Sequence, residues 1–402
     1  RQARELLSDL ELASDTLDGA FALPTVGVFS GHRIDAADRS QARFPASAEA
    51  QVRKEIEAAL AAANVGIGYG AAANGADLIF MEVLLAMGGD VHLVLPMETD
   101  VFRQFSVADE QEPQWLQRYD RVVEQATSVT IVSEQVDLHD ASVLDYGNRV
   151  ALGLAALKGS EIGADLIGIA LWDGRAGMPG GTADCVQLWR QQGVRTRILT
   201  VDSRPPLPST EAVQASGSEA SSKRVLMSML FADIVGYSRL SEQDIERFYS
   251  DVLPAVAALS DRQKHRPVVT QSFGDAFYFV FESAQQTADF GLALNALFRK
   301  QLGAFDDLDL RIRIALHSGP LLRCFDPLRD AVNYTGRHTS RAARVEPVAP
   351  ENQILATQQF AAMLALEARD HYDLAYAGER VLPKGYGIER LFVLSTTASS
   401  LL

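Results

Sequence analysis

Pro267-Val-Val-Thr-Gln-Ser-Phe-Gly-Asp-Ala-Phe-Tyr-Phe-Val-Phe-Glu282 reads as two apolar strands, Pro267–Phe273 and Ala276–Glu282, around a two-residue Gly274-Asp275 turn. Such a pair between apolar runs is a short hairpin signal. Before it, Val225–Ala232 reads as a strand and Glu242–Leu259 as a helix. After it, Ala284–Gln301 reads as a helix and Leu310–Ser318 as a strand. The order βαββαβ predicts an α+β ferredoxin-like domain.

Working outward, residues 203–222 are dominated by Pro, Ser, Ala and Gly, with few large apolar groups to bury. That is a linker composition. It predicts one domain over 1–202 and another over 223–402. In the first, apolar runs Thr25–Ser30, Asn64–Tyr69, Val91–Pro96, Ser128–Ser133, Asp165–Trp172 and Arg195–Val201 alternate with helical patterns. The patterns are Ala48–Ala63, Ala76–Met87, Pro113–Gln125, Leu144–Leu157 and Thr182–Gln191. Fully apolar strands alternating with helices predict a doubly wound parallel sheet, so the whole chain is of the α/β class with an α+β second domain. The first 20 residues read as a separate helix.

Composition narrows the partners. Of 402 residues, 47% are apolar and 22% charged, an ordinary globular balance. No apolar run is long enough for a membrane span, and no basic-then-apolar leader opens the chain. The first residue is not Met, so the expectation is a processed or partial chain. The formal net charge of −15 argues against nucleic acid and anionic lipid as partners. Cys185 and Cys324 stand far apart, with no second Cys or paired His beside either. That speaks against a disulfide framework or a zinc site, and for the cytoplasm.

Two acidic residues carry the chemistry of the second domain. In Phe231-Ala-Asp-Ile-Val-Gly-Tyr-Ser238, Asp233 sits where an apolar strand ends. Asp275 sits at the hairpin tip. Each alone is most simply a turn residue. In a βαββ order the first strand can lie beside the hairpin, bringing the two together. Paired carboxylates of this kind suit Mg²⁺ or Mn²⁺ bound along with substrate phosphates.

These segments resemble the class III adenylyl/guanylyl cyclase family. The likeness continues through Leu316-His-Ser-Gly-Pro320, Tyr334-Thr-Gly-Arg-His-Thr-Ser-Arg-Ala-Ala-Arg-Val-Glu-Pro347, Gln353-Ile-Leu-Ala-Thr357 and Val381-Leu-Pro-Lys-Gly-Tyr386. The matches run in order through almost all of 223–402. The resemblance implies conversion of a nucleoside triphosphate into a 3′,5′-cyclic nucleotide and pyrophosphate. It implies two divalent cations, Mg²⁺ or Mn²⁺, held by Asp233, Asp275 and the Ile234 carbonyl. Arg344 would stabilise charge on the α-phosphate, and Lys384 would hold the terminal phosphates. The implied site is shared across a head-to-tail homodimer.

Two departures from the family pattern matter. Where the family usually has Asn four residues before the Arg, this chain has Ser340, which has less reach towards ribose. The base-reading positions, Lys with Asp or Thr in adenylyl cyclases and Glu with Cys in guanylyl cyclases, here hold Gln271 and Asn333. An amide both donates and accepts, so this pair can turn to suit any base. ATP is the favoured substrate; the alternatives are a pyrimidine cyclase of the antiphage type and a weakly active nucleotide-binding module.

Three Gly-rich turns mark the first domain: Phe29-Ser-Gly-His-Arg33, Gly68–Asp77 and Trp172–Asp184. Such turns gather backbone N–H groups and helix N-termini at the carboxyl edge of a parallel sheet, where ligands bind. The candidates are Ser30, Gly31, His32, Arg33, Gly75, Asp77, Gly180, Gly181 and Thr182. The S-G-H-R and G-A-x-G-A-D patterns resemble the SLOG group of Rossmann-like domains over roughly residues 24–202. That resemblance implies a nucleotide-like ligand, read as a regulatory signal or, as an alternative, degraded by this domain.

Overall fold

The structure, a computed structural model, describes residues 23–36, 39, 41–109, 112–134, 141–201, 224–262, 266–298, 308–368 and 371–396. The linker expected at 203–222 and the helix expected in the first 20 residues lie outside them. The chain clusters into two compact units, Arg1–Ile131 with Leu154–Ser216, and Val132–Gly153 with Gly217–Leu402.

The first unit is a Rossmann-like parallel sheet. Its strands are β1 (Thr25–Gly31), β2 (Val65–Gly70), β3 (Asp90–Leu95), β4 (Ser128–Ile131), β5 (Leu166–Leu171) and β6 (Arg195–Leu199), ordered β4-β3-β2-β1-β5-β6. The helices are α1 (Glu49–Ala62), α2 (Ala76–Ala86), α3 (Gln114–Gln125), α4 (Ala141–Ile162) and α5 (Thr182–Gln191). The first half of α4 clusters with the second unit and its last half with the first. Five of the seven residues of β1 are buried, as are five of the six of β5. Such near-continuous apolar runs form where helices cover both faces of a sheet. Strand order reverses between β1 and β5, so the crevice at their carboxyl ends is the switch point of the sheet.

The second unit is built on β7 (Arg224–Val235), β8 (Val269–Phe273), β9 (Ala276–Phe281) and β10 (Arg311–Asp326), in the ferredoxin-like order β10-β7-β9-β8. Three further strands follow: β11 (Ala331–Thr335), β12 (Ile354–Thr357) and β13 (Tyr372–Val381). The last, β14 (Ile388–Thr396), joins β12 to β13. The helices are α6 (Glu242–Arg247), α7 (Leu253–Ser260), α8 (Ala284–Leu297), α9 (Arg337–Val345) and α10 (Gln358–Ala368). A phenylalanine-rich core joins sheet and helices: Phe279 and Phe281 meet Phe290 of α8 at ring-centroid distances of 4.7 and 5.2 Å.

Two elements differ from the sequence reading. Glu242–Leu259 reads as one helix, but a π turn at Phe248–Val252 divides it. Pro254 follows at once and has no N–H to offer the turn before it, which loosens the regular ladder there. Strand β10 does not stop at Ser318. Gly319-Pro320 looks like a turn, yet Pro320 pairs with Leu226 of β7. On the other side of β10, β12 covers Ile314–Leu316 and β11 covers Leu322–Asp326. The proline falls in the gap between them, where a missing N–H is tolerated.

Candidate active site

The register of three strands assembles the acidic pair. Asp233 of β7 lies opposite Ala276 of β9 and opposite Arg313 of β10. Asp275 precedes Ala276 in the turn, and the Ile234 N–H donates to the Asp275 carbonyl at 3.1 Å. Gly274 sits at φ 72°, a left-handed value that glycine supplies without strain. Burial raises the Asp233 carboxyl above its usual range; Asp275 pushes the same way, and Arg313 pulls back. Two carboxylates with an adjacent backbone carbonyl form a hard oxygen donor set. A divalent cation would remove the repulsion that lifts Asp233. Among the described residues no three His, Cys, Asp or Glu side chains converge as a closed cage. Phosphate oxygens and water would complete the coordination, and the residues fit that arrangement.

The two amides that the sequence singles out meet. Gln271 Nε2 donates to Asn333 Oδ1 at 3.1 Å, and the backbone N–H of Tyr334 donates to the same oxygen at 2.9 Å. A backbone N–H can only donate, so it fixes which end of Asn333 is the acceptor. The Gln271 carbonyl and the Asn333 amino group remain to face a ligand. Tyr278 braces this edge, its hydroxyl donating to the Tyr334 carbonyl at 3.1 Å.

Ser340 and Arg344 lie one helical turn apart on α9. Arg344 Nε is buried without a hydrogen-bond partner, and its guanidinium lies 5.7 Å from the Tyr386 ring centroid. Lys384 is exposed in the turn between β13 and β14, at φ 59°. The Leu382 N–H donates to the Gly387 carbonyl at 2.8 Å and closes that turn.

Two residues join the acidic pair without having been assigned a role from sequence. Arg313 supplies the positive charge across the strand pair. Glu346 is pushed up to about 7, first by burial, then by Asp233 and less by Asp275, against the pull of Arg313. Its Oε1 is buried and unpaired. The period-2 placement of Arg311 and Arg313 on β10 was the available signal for the first. For Glu346, its place two residues after Arg344 in a helical pattern was the only one. Residues two apart on a helix do not share a face. Glu346 feels the charge of the Asp pair, while Arg344, two residues earlier, lies near Tyr386.

In the first unit, the expected residues converge at the β1–β5 switch. The Gly31 N–H donates to Asp77 Oδ1 at 2.7 Å, Arg33 Nε to Asn74 Oδ1 at 2.8 Å, and Ser30 Oγ to Thr182 Oγ1 at 3.4 Å. His32 Nε2 accepts from the Asp173 N–H at 3.1 Å, and burial lowers its pKa, so the ring is neutral there. Burial pushes Asp77 up to about 7, against the N–H donors of Gly31 and Ala73. Gly75 has φ 94°, and a Cβ on it would meet Ile34 N at 2.5 Å, so the two turns interlock through it. The Gly180 N–H donates to Asp184 Oδ2 at 2.6 Å, and the Gly181 N–H to the Met178 carbonyl at 3.0 Å. Glu82, on the same helix as Asp77, is held by Arg53 and Arg118 in a partly buried ion cluster.

Residues 220–396 match the family model of the adenylate and guanylate cyclase catalytic domain, so this part of the chain is a class III cyclase catalytic domain. Among solved structures, the chain is similar to the guanylate cyclase domain of RhGC from Catenaria anguillulae in complex with GTP. That pair is 18% identical and covers 43% of this chain and 97% of the other, with a TM-score of 0.36. It is also similar to the adenylyl cyclase CyaB from P. aeruginosa, at 15% identity, 43% and 95% coverage and a TM-score of 0.36. A Trypanosoma brucei adenylate cyclase in its monomeric state gives 23% identity, 43% and 89% coverage and a TM-score of 0.35. No curated protein matches the chain. Among the described residues no helix is long and apolar enough to cross a membrane.

Proposed function

We propose that the second unit converts ATP into 3′,5′-cyclic AMP and pyrophosphate, at a site completed by a second copy of the chain. The observation that carries this reading is the Asp233–Asp275 pair on adjoining strand ends beside the Gln271–Asn333 amides. In the reaction the ribose 3′-oxygen bonds to the α-phosphorus, the 3′-hydroxyl proton leaves, and the bond from the α-phosphorus to the bridging β-phosphate oxygen breaks. Asp233, Asp275 and the Ile234 carbonyl would hold two Mg²⁺ or Mn²⁺ ions, which lower the pKa of the 3′-hydroxyl and neutralise the triphosphate. Arg344 binds the α-phosphate oxygens, where negative charge grows in the transition state. Lys384 holds the departing pyrophosphate as a point charge. Ser340 offers a hydroxyl to the ribose.

The amide pair supports adenine. It presents one acceptor, on Gln271, and one donor, on Asn333. The adenine edge has one amino donor at N6 and one ring acceptor at N1, so the pair leaves nothing on that edge unpaired. Guanine carries a further amino group, and the pyrimidines a further carbonyl, that this pair does not meet.

The dimer is supported by Arg344, whose Nε is buried and unpaired beside the Tyr386 ring. Exposed apolar side chains point the same way: Leu328, 96% exposed, stands between β10 and β11, and Val381, 75% exposed, stands beside the Lys384 turn. The first unit serves as a regulatory, SLOG-like domain that binds a nucleotide-like ligand around Gly31, Arg33 and Thr182. Product analysis tests the main reading. ATP should yield cyclic AMP and pyrophosphate in equal amounts, whereas ADP or AMP as the product would refute it.

A further inference from the structure

The helix that carries Ser340 and Arg344 is held by a segment far away in sequence but within the same compact unit, Val132–Gly153. The contacts run from a partly exposed ion pair to a buried aromatic edge. Glu134 accepts from Arg341 of α9, and its other oxygen takes Arg337 Nη1 at 3.5 Å. Arg341 also pairs with Glu389 of β14, whose side chain is 2% exposed. One turn earlier on α9, His338 and the Tyr146 ring meet edge to face, with centroids 5.5 Å apart and planes at 87°. Tyr146 is fully buried, and its hydroxyl donates to the Ser318 carbonyl at 2.6 Å.

Behind His338 the packing leaves no slack. Its Nδ1 lies 2.9 Å from His317 Nε2, and His317 Nδ1 lies 2.8 Å from Thr357 Oγ1. A Cβ on Gly319 would sit 2.3 Å from His338 Nδ1. Further along α4, Gly153 packs so tightly on α10 that a Cβ there would lie 2.2 Å from the Ala362 carbonyl oxygen. The segment thus grips α9 at Arg337, His338 and Arg341, within the two turns that also present Ser340 and Arg344.

We propose that Glu134 and Tyr146 are positioning residues for cyclisation: they clamp α9 and so fix where Ser340 and Arg344 stand, without touching substrate. This rests on the cyclase reading above. Turnover is steep in placement, because a shift of about 1 Å in an aligned group can cost on the order of 100-fold. A ground-state contact would act on KM instead.

The test uses the full chain with Glu134→Gln, Glu134→Asp and Tyr146→Leu, the last of which removes the ring that meets His338. Steady-state kinetics with ATP give kcat and KM. Hydrogen–deuterium exchange of residues 337–345 reports the clamp independently of activity. Glu134→Gln and Tyr146→Leu should lower kcat on the order of 10-fold or more, with KM little changed and α9 exchanging faster. Glu134→Asp, which keeps the charge, should recover part of the loss. Unchanged exchange overturns the clamp, and faster exchange with unchanged kcat overturns the positioning role. If the parent chain forms no cyclic product, the cyclase reading fails and the positioning role falls with it; the exchange data still decide whether the segment holds α9.

Discussion

Gln271 and Asn333 lie 62 positions apart in the chain, yet their amides are hydrogen-bonded at 3.1 Å, with Asn333 oriented by the backbone N–H of Tyr334. This fixes the polarity of the pair. Gln271→Glu replaces the donor with a second acceptor and adds charge. Guanine, with N–H groups at N1 and N2, matches an acceptor-only group better than adenine does. The expected outcome is a shift in the kcat/KM ratio of GTP over ATP on the order of 10- to 100-fold, read by competing the two substrates.

In the proposed reading, Arg344 and Asp275 belong to complementary halves of a two-chain site. Arg344→Ala and Asp275→Ala should each lower turnover on the order of 100-fold or more. Mixed in equal amounts, the two variants should recover about a quarter of the parent activity. Random pairing makes half of the dimers mixed, and each mixed dimer holds one intact site of two. No recovery on mixing would place Arg344 at the site of its own chain. Arg344→Lys should not restore activity, because an ammonium lacks the planar fork.

Asp77 in the first unit and His338 in the second should contribute to stability with opposite dependence on pH. Burial holds the Asp77 carboxyl at about 7 in the fold, against an ordinary value of 3.8. The folded unit keeps a proton that the unfolded chain releases, so this contribution is full below pH 3.8 and is lost as pH rises through 7. His338 is pushed down to about 3 from 6.5, chiefly by burial, and His317 is lowered the same way. Their contribution is full above pH 6.5 and is lost as pH falls towards 3. Denaturant midpoints taken from pH 4 to 8 check this. Asp77→Asn should flatten the trend of the first unit, and His338→Gln that of the second.

Arg33 is the cation available to a ligand at the β1–β5 switch. Arg33→Ala should abolish binding of a nucleotide probe to the full chain, measured calorimetrically with AMP. Asp77→Ala, which leaves the Gly31 N–H unpaired, should instead cost stability of about 1–3 kcal/mol.

Much of the fold was legible because burial on both faces writes itself into the chain. The strands of the first unit fall within a few residues of their apolar runs, from Thr25–Gly31 to Arg195–Leu199. The Gly274-Asp275 turn placed Asp233 and Asp275 side by side, and the amide pair was readable from the resemblance to the cyclase family. What escaped depends on tertiary context. Nothing local marks Val132–Gly153 as packing with the second unit, since its contacts are with residues some 200 positions away, as for Glu134 with Arg341. The role of Glu346 was hidden for the same reason: its charge neighbours are far off in sequence. Pro320 misled because a missing N–H matters only where a strand needs it, and a gap between β11 and β12 removes that need.

The most direct test of the central claim compares the parent chain with Asp275→Ala, each given ATP with Mg²⁺ and with Mn²⁺. The account predicts cyclic AMP and pyrophosphate from the parent, lost in a variant that still folds and still pairs. No cyclic product from the parent with ATP, GTP, CTP or UTP, or equal product from both chains, would contradict it.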